Sequence, residues 1–229
     1  GKEDIDGVGF FQASWTISTS YLGIILNAML SDFFPRLSAI NGNETESNKL
    51  VNEQLEIALV LGTPMIMFLI AFADPVITLL YTTSFRDSVL ILQWQLYGAF
   101  FTLIAWPLGV LFLAKNKGFL SVFTDFIWCI LLLIFVYYGW TFFGFAVLGI
   151  GDAFALFLKV ILVYFFVRNF WNFRFSMKNI KNILFYGFFS SLMISTVVVF
   201  NGNKQLYLAL FIILIVGIKS VLVLNRIYG

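Results

Sequence analysis

The chain has 229 residues, of which 61% are hydrophobic and only 11% are charged. A soluble domain has about 45–50% apolar and about 25% charged residues, so this composition excludes an ordinary soluble protein and predicts an integral membrane protein. The 29 Phe, 9 Tyr and 6 Trp residues exclude a disordered chain, and a net charge of +2 gives no indication of nucleic-acid binding.

The missing residue types narrow the possible chemistry. The chain has no His, which excludes Ser-His-Asp and Cys-His catalysis and every His-based metal site. Its one Cys, Cys129, lies in an apolar run and is interpreted as an inert thiol. We therefore expect no cofactor and no metal site. Because the chain begins with Gly1 and has no signal-peptide pattern, we expect it to be a piece of a longer protein whose N-terminal part is absent.

Apolar stretches of the length that a bilayer requires, about 20 residues, recur along the chain. The predicted fold is all-α, a polytopic membrane helix bundle of about seven transmembrane helices. The predicted spans are residues 8–30, 58–73, 89–114, 119–138, 145–167, 183–200 and 206–224. We predict one lobe of five spans over residues 1–170, with a cytoplasmic loop at 31–56, and two additional C-terminal helices over residues 171–229.

The basic residues predict the orientation, because Lys and Arg collect in cytoplasmic loops. One set of predicted loops holds nine of them: Arg36, Lys49, Lys115, Lys117, Arg168, Arg174, Lys178, Lys181 and Arg226. The other set holds three: Lys2, Arg86 and Lys204. This asymmetry predicts that the chain starts outside and that its C-terminus is cytoplasmic, which agrees with an odd number of spans.

The first span is followed by the longest predicted loop. Pro35 is expected to end the helix, because proline lacks a backbone N–H and restricts the residue before it. The run 41–43, Asn-Gly-Asn, is a turn signal. From Ser47 onward, apolar residues at helical spacing predict an amphipathic stretch that runs directly into the second span. After that span, Asp74 and Pro75 begin an apolar run too short to cross a bilayer, which we place at the outer interface.

The first span carries a polar stripe. Its members recur at steps of three and four residues, which places them on one helix face: Gln12, Thr16, Thr19, Ser20, Gly23, Asn27 and Ser31. Such a stripe either lines a water-filled cavity or packs against a neighbouring helix through small residues. The second interpretation explains Ser and Gly better than it explains Gln12 and Asn27, whose amides need several partners each.

The third span adds Gln93, Gln95 and Tyr97 in its outer half, and Gln95 is a further candidate for cavity lining. Pro107 in this span and Pro64 in the second are expected to kink their helices, because each removes a backbone hydrogen bond. Interrupted helices are typical of transporters.

Four charged residues lie inside predicted spans: Asp125, Asp152, Lys159 and Lys219. Each costs about 2.5–3.5 kcal/mol at a helix centre on insertion scales. Lys219 is close enough to the cytoplasmic end to extend to water. Asp125 and Lys159 lie at matching depths on consecutive antiparallel spans, so we predict that they pair, with Asp152 as the alternative partner. The pair is either a structural ion pair or an ion- or proton-coupling site.

An ordered set of short motifs then resembles a known family. Residues 7–13, Gly-Val-Gly-Phe-Phe-Gln-Ala, open a span that ends at 35–38 in Pro-Arg-Leu-Ser. Residues 80–85, Leu-Tyr-Thr-Thr-Ser-Phe, precede the next long span. This set resembles the C-terminal half of Wzx-type O-antigen flippases, in the polysaccharide-transporter branch of the multidrug/oligosaccharidyl-lipid/polysaccharide exporter superfamily. The similarity is clearest over residues 7–117, and Phe10 stands where the family usually has Tyr.

The resemblance implies a transporter rather than an enzyme. Such a protein would move undecaprenyl-diphosphate-linked oligosaccharide across the bacterial inner membrane by alternating access of two lobes. Its implied partners are the lipid-linked glycan, membrane lipids, the absent N-terminal lobe and glycan polymerase machinery. The family's cavity is thought to be cationic, whereas the stripe of the first span has no cation, so that charge would come from Lys159 or from the absent lobe.

Three alternatives remain at this point. One is an ion-coupled antiporter of drugs or small molecules with the same fold. Another is a purely structural membrane subunit, against which the two cavity-type helices and the buried charges argue. The third is a membrane-embedded glycan polymerase or acyltransferase, which would be expected to carry Arg, His or acidic clusters in a large outer loop. The predicted outer loops are short, and His is absent, which counts against the enzyme.

Overall fold

A computed structural model describes the backbone of residues 2–40 and 42–228 and the side chains of residues 7–40 and 42–227. The described chain is helical apart from short turns. Its α-helices are α1 (Lys2–Ala39), α2 (Glu44–Ala71), α3 (Ala73–Leu80), α4 (Ser88–Ala114), α5 (Gly118–Phe143), α6 (Val147–Trp171), α7 (Met177–Val199) and α8 (Asn203–Tyr228). The predicted all-α membrane bundle is therefore confirmed.

Six continuous helical stretches of the described chain are long and apolar enough to cross a membrane, judged by length and composition. The fourth, Gly118–Trp171, contains both α5 and α6. Gly144, with a φ of 51°, lies between them, and Phe135 of α5 contacts Phe154 of α6 with ring centroids 4.9 Å apart. The two helices therefore form an antiparallel hairpin. Counted separately, they bring the spanning helices of the described residues to the predicted seven.

Helix α4 is at the centre of the bundle, in contact with α1, α2, α6 and α7, while α5 packs on α6, and α7 and α8 pack on α2. Small residues allow α4 and α6 to approach closely. A Cβ added at Gly149 would lie 2.6 Å from the Ile91 carbonyl oxygen, and one added at Gly98 would lie 3.0 Å from the Cα of Ala153. Close backbone approach through glycine is a main source of helix association in lipid, where apolar burial alone gives little driving force.

The alternating helices place the loops at two ends of the bundle. The start of α1, the turns 81–87 and 144–146, and residues 200–202 lie at the predicted outer end. The turns at 42–43, 115–117 and 172–176 lie at the predicted cytoplasmic end. The nine basic residues of the larger set also lie at this end, Arg226 among them in the last turn of α8.

The prediction that Pro35 ends the first helix is wrong. Helix α1 continues through Pro35 to Ala39. Pro35 has no N–H to donate to the Ser31 carbonyl, which therefore lacks its helical hydrogen bond. Both residues are exposed, so the Ser31 carbonyl is accessible to other donors. On the opposite face Phe33 and Leu37 are fully buried, and the Phe33 ring lies 5.9 Å from that of Trp106. Packing of these two residues therefore holds the last turns in helical form.

Most of the predicted loop at 31–56 is helical, because α1 ends at Ala39 and α2 begins at Glu44, while its cytoplasmic position stays a prediction. The predicted turn falls between them, although its first residue, Asn41, lies outside the described residues. Asn43 caps α2, since its side chain accepts a hydrogen bond from the Glu46 amide at 3.1 Å. The predicted amphipathic stretch from Ser47 is the first part of α2, which runs unbroken into the second span.

The turn from α6 to α7 is attached to this extension of α2 through Asn52. Its side chain donates to the Arg174 carbonyl at 3.0 Å and accepts from the Ser176 amide at 2.7 Å. Asn179 at the start of α7 donates to the Asn52 carbonyl at 2.7 Å. Helices α7 and α8 are thus anchored to α2 at the predicted cytoplasmic end.

At the predicted outer end, α3 is the short apolar element that the sequence indicated, and it is too short to span a membrane. Arg86 donates two hydrogen bonds of 2.8 Å to the Asp74 carboxylate, which ties α3 to the turn before α4. These hydrogen bonds and the charge of Arg86 hold the pKa of Asp74 below its usual value. Helices α2 and α4 are continuous across Pro64 and Pro107, and kinks at these positions stay a prediction.

Candidate functional site

The polar stripe of α1 lies on a face that no helix of the described chain covers. Its members Gln12, Thr16, Thr19, Ser20 and Asn27 are exposed. The apolar residues on the other side pack inward: Ile17 is buried, and Phe10 meets Phe85 and Phe145 edge-on. Within the described chain, these five side chains are therefore not packed against a neighbouring helix.

Most hydroxyls of the stripe are used locally. Thr16 donates to the Gln12 carbonyl at 2.8 Å, and Thr19 donates to the Trp15 carbonyl at 2.6 Å. Such bonds to the preceding turn let hydroxyl groups lie at membrane depth without an unpaired donor. Asn27 has no hydrogen bond to another described side chain or backbone group, so its amide is available to water or to a ligand.

The two charged residues predicted at matching depth meet in the structure. Lys159 Nζ lies 2.5 Å from Asp125 Oδ1. The lysine side chain is 21% exposed and the aspartate side chain 55% exposed, so the lysine is the more deeply placed partner. The lysine also lies 6.0 Å from the centroid of the Trp128 ring. The ion pair therefore joins α5 to α6.

Asp152, the alternative partner, has a different principal contact. Its Oδ1 accepts a hydrogen bond of 3.2 Å from Nε1 of Trp128, and the residue is only 2% exposed. The three charged residues therefore form one cluster between α5 and α6, in which Trp128 and Lys159 are the two donors.

The ion pair lies between two cavities. The first, of about 320 Å³, is bounded by α1, α4, α5 and α6 toward the predicted outer end; Trp15, Gln95 and Asp152 are in its wall. The second, of about 240 Å³, extends toward the predicted cytoplasmic end past Trp106 and Ser121. Four residues line both cavities: Thr102, Asp125, Leu156 and Lys159. The pair thus lies in the wall that the two cavities share.

The glutamines of α4 have separate environments. Gln93 donates to the Ile70 carbonyl of α2 at 3.3 Å, and Tyr97 shares a 3.0 Å hydrogen bond with Ser191 of α7. Gln95, the candidate for cavity lining, is 2% exposed and lies in the wall of the first cavity. These three residues therefore face three different parts of the bundle, and only Gln95 belongs to the site.

Sequence reasoning missed two tryptophans of the site. The rings of Trp15 and Trp128 stack with centroids 5.9 Å apart and line the first cavity together with Ser18. Trp128 is one turn beyond Asp125 on α5, which was an available signal for a shared face. Trp15 comes from a helix distant in the chain, so its position depends on tertiary packing alone.

Comparison with known proteins gives one family match and a fold. Residues 5–90 match the family described as "Polysaccharide biosynthesis protein". No curated protein matches by sequence. Among solved structures, the chain is similar to "Lipid II flippase MurJ, inward closed conformation", with a TM-score of 0.71 and 17% sequence identity. The alignment covers 96% of this chain and 47% of that one, so the chain spans about half the length of the flippase.

The family match and the fold agree with the resemblance stated from the sequence. The fold is similar to about half of that solved structure, and residues 5–90 match a family model described as a polysaccharide biosynthesis protein. The family match lies within the stretch of clearest resemblance, apart from its first two residues, and the similarity in fold extends over nearly the whole chain.

Proposed function

We propose that this chain is the C-terminal part of a flippase that carries undecaprenyl-diphosphate-linked oligosaccharide, an O-antigen or similar surface-polysaccharide unit, across the bacterial inner membrane. Residues 1–170 would form one lobe of an alternating-access transporter, and residues 171–229 would add two helices. The start would lie outside and the C-terminus in the cytoplasm.

The observation that carries the proposal is the exposed polar face of α1. Amide and hydroxyl groups over several turns of a spanning helix are unfavourable against lipid, because hydrocarbon offers them no hydrogen bonds. A water-filled path shared with a second lobe would solvate Gln12, Thr16 and Asn27. Thr19 belongs to the stripe and also lines the first cavity, which connects this face to the interior cluster.

The charges of the cluster limit how it can contact a diphosphate. Asp125 already matches the charge of Lys159, and the nearby side chain of Asp152 supplies no positive charge. We therefore expect most of the positive charge for a diphosphate to come from the N-terminal lobe. For Asp125, Asp152 and Lys159 we propose either a structural role or a coupling role, in which breaking and re-forming the pair accompanies transport.

Complementation tests the proposal. The complete protein encoded by the gene would be expressed in a bacterium that lacks its own O-antigen flippase and accumulates lipid-linked oligosaccharide. We expect export of surface glycan to be restored. We also expect the variant with Thr16→Val and Asn27→Leu to export less, because it replaces the polar face by an apolar one of similar size. Ser195→Ala is the matched control, since Ser195 is an exposed hydroxyl on α7 that bonds only to the Ser191 carbonyl.

Three results would count against the proposal. Absence of export with a stably expressed wild-type protein would contradict the glycan substrate. Equal export by the stripe variant and the Ser195→Ala control would contradict the role of the α1 face. Drug efflux without glycan export would support the small-molecule antiporter instead.

A further inference from the structure

The starting point is a buried amide that has no protein partner. Gln95 is 2% exposed, and neither its Nε2 nor its Oε1 is hydrogen-bonded to a described residue. Gln93, two residues earlier, is similarly buried but donates to the Ile70 carbonyl. Buried amides without partners are unfavourable and uncommon, so a cavity-lining Gln95 indicates a polar occupant of that cavity.

The same cavity offers further polar groups from three helices. Asp152 contributes a carboxylate with one acceptor used by Trp128, and Lys159 contributes an ammonium paired with Asp125. The Ser18 hydroxyl gives its proton to the Trp15 carbonyl at 3.1 Å, which leaves its oxygen as an acceptor. The wall therefore offers acceptors and donors together, and the amide of Gln95 supplies both. Hydroxyl groups, which donate and accept, match this set.

The rest of the wall is apolar and aromatic. Leu22, Leu26, Ala99 and Leu156 line the cavity beside the stacked rings of Trp15 and Trp128. A pyranose has both kinds of surface, with hydroxyls at its rim and C–H groups on its faces. A volume of about 320 Å³ is near the lower limit of small-molecule pockets, roughly 300–1,000 Å³, and suits one ring rather than an oligosaccharide.

Charged ligands fit this cavity less well. A phosphate would lie beside Asp152, a 2% exposed carboxylate whose protein hydrogen bond comes from a neutral indole. A bare cation bound by oxygen atoms at about 2.3–2.6 Å would leave most of the volume and the aromatic wall unused.

We propose that the first cavity is a subsite for one neutral sugar ring of the transported glycan. Gln95 and Asp152 bind its hydroxyls, and the tryptophan wall packs against its C–H face. The inference rests on the proposed function, because it takes the glycan as the transported substrate. The cavity then distinguishes sugar rings by the positions of their hydroxyls.

The test compares Gln95→Leu with Gln93→Leu in the complete purified protein. The probes are D-glucose, D-galactose and N-acetyl-D-glucosamine, with sodium chloride and sodium pyrophosphate as ion controls, and binding is followed by tryptophan fluorescence. We expect at least one sugar to bind the wild type. We expect Gln95→Leu to weaken this binding about tenfold or more, while Gln93→Leu retains it. If Gln95 had only a structural role, Gln95→Leu would leave sugar binding unchanged, because the Gln95 side chain has no hydrogen-bond partner in the fold.

Several outcomes would overturn the subsite. One is that no sugar binds the wild type, and another is that Gln95→Leu binds sugar as well as the wild type does. The third is that sodium or pyrophosphate alone, without sugar, changes the fluorescence of the wild type and that Gln95→Leu abolishes this change. Glycan export in the complementation assay separates the two proposals. Export by wild type with unchanged sugar binding in Gln95→Leu contradicts the subsite alone, whereas sugar binding without export contradicts the proposed function alone.

Discussion

Lys159 and Asp125 form an ion pair that lines two cavities, so the side chains that neutralise each other also form part of the wall between these cavities. The lysine is the more buried member. Loss of the aspartate would therefore leave a poorly hydrated charge, whereas loss of the lysine would leave a carboxylate that water reaches more easily.

This asymmetry gives the first prediction. In the complete protein, Asp125→Asn and Lys159→Met should each lower glycan export by about tenfold, and Asp125→Asn should also lower the amount of folded protein more. Export and membrane-protein yield are the measurements. The exchange of both residues, Asp125→Lys with Lys159→Asp, distinguishes the two roles: a structural pair predicts recovery of export, and a coupling pair predicts a folded but inactive protein. Unchanged export in both single variants would contradict either role.

Replacement of Asn52 by Ala should lower the stability of the protein strongly for the loss of one small side chain. Asn52→Ala removes the side-chain bonds to Arg174, Ser176 and Asn179 and takes these partners from the Arg174 carbonyl and the Ser176 amide, while Asn179 keeps its bond to the Asn52 carbonyl. We expect a loss of about 2–4 kcal/mol in the free energy of unfolding in mixed micelles. Hydrogen exchange should show faster exchange of the Ser176 amide. Glu53→Ala, on the next residue of α2, is the control, and an equal effect of the two variants would contradict the anchoring role.

Gly149 should not tolerate a methyl group. An added Cβ would lie 2.6 Å from the Ile91 carbonyl oxygen and 2.8 Å from Trp94 Cβ, so α4 and α6 would have to separate. We expect Gly149→Ala to cost about 1–3 kcal/mol. Gly217→Ala, in α8 with open space around the position, should instead be neutral or stabilise by roughly 0.5–1 kcal/mol. Thermal unfolding in detergent measures both, and equal stability of the two variants would show that the helices are not in close contact.

The pair of Asp74 and Arg86 predicts a small acid sensitivity at the predicted outer end. The pKa of Asp74 is lower in the folded protein than in the unfolded chain. Its contribution to stability is therefore complete above the unfolded pKa and is lost as pH falls through the folded value. Thermal unfolding in detergent between pH 7 and pH 3 should show a smaller acid-induced decrease for Asp74→Asn than for wild type. An identical decrease in both would show that the ion pair contributes nothing.

Much of the architecture followed from local chemistry. The length of each apolar run predicted seven spans, because the thickness of the bilayer sets the length of a helix that crosses it. The depths of Asp125 and Lys159 could be counted along antiparallel helices, since the rise per residue is fixed. The polar stripe of α1 could be identified because side chains three and four residues apart share a face.

Tertiary contacts decided the rest. The end of α1 was misplaced because Pro35 is a strong local signal, whereas the burial of Phe33 and Leu37 that outweighs it involves residues of other helices. The sequence by itself determined two things: its composition determined a membrane-spanning helical protein, and the order of its residues determined the depths of a few charged side chains. Only the packing decided that Gln95 would be buried without a partner and that Trp15 would meet Trp128, because both depend on which helices become neighbours and how closely glycines let them approach.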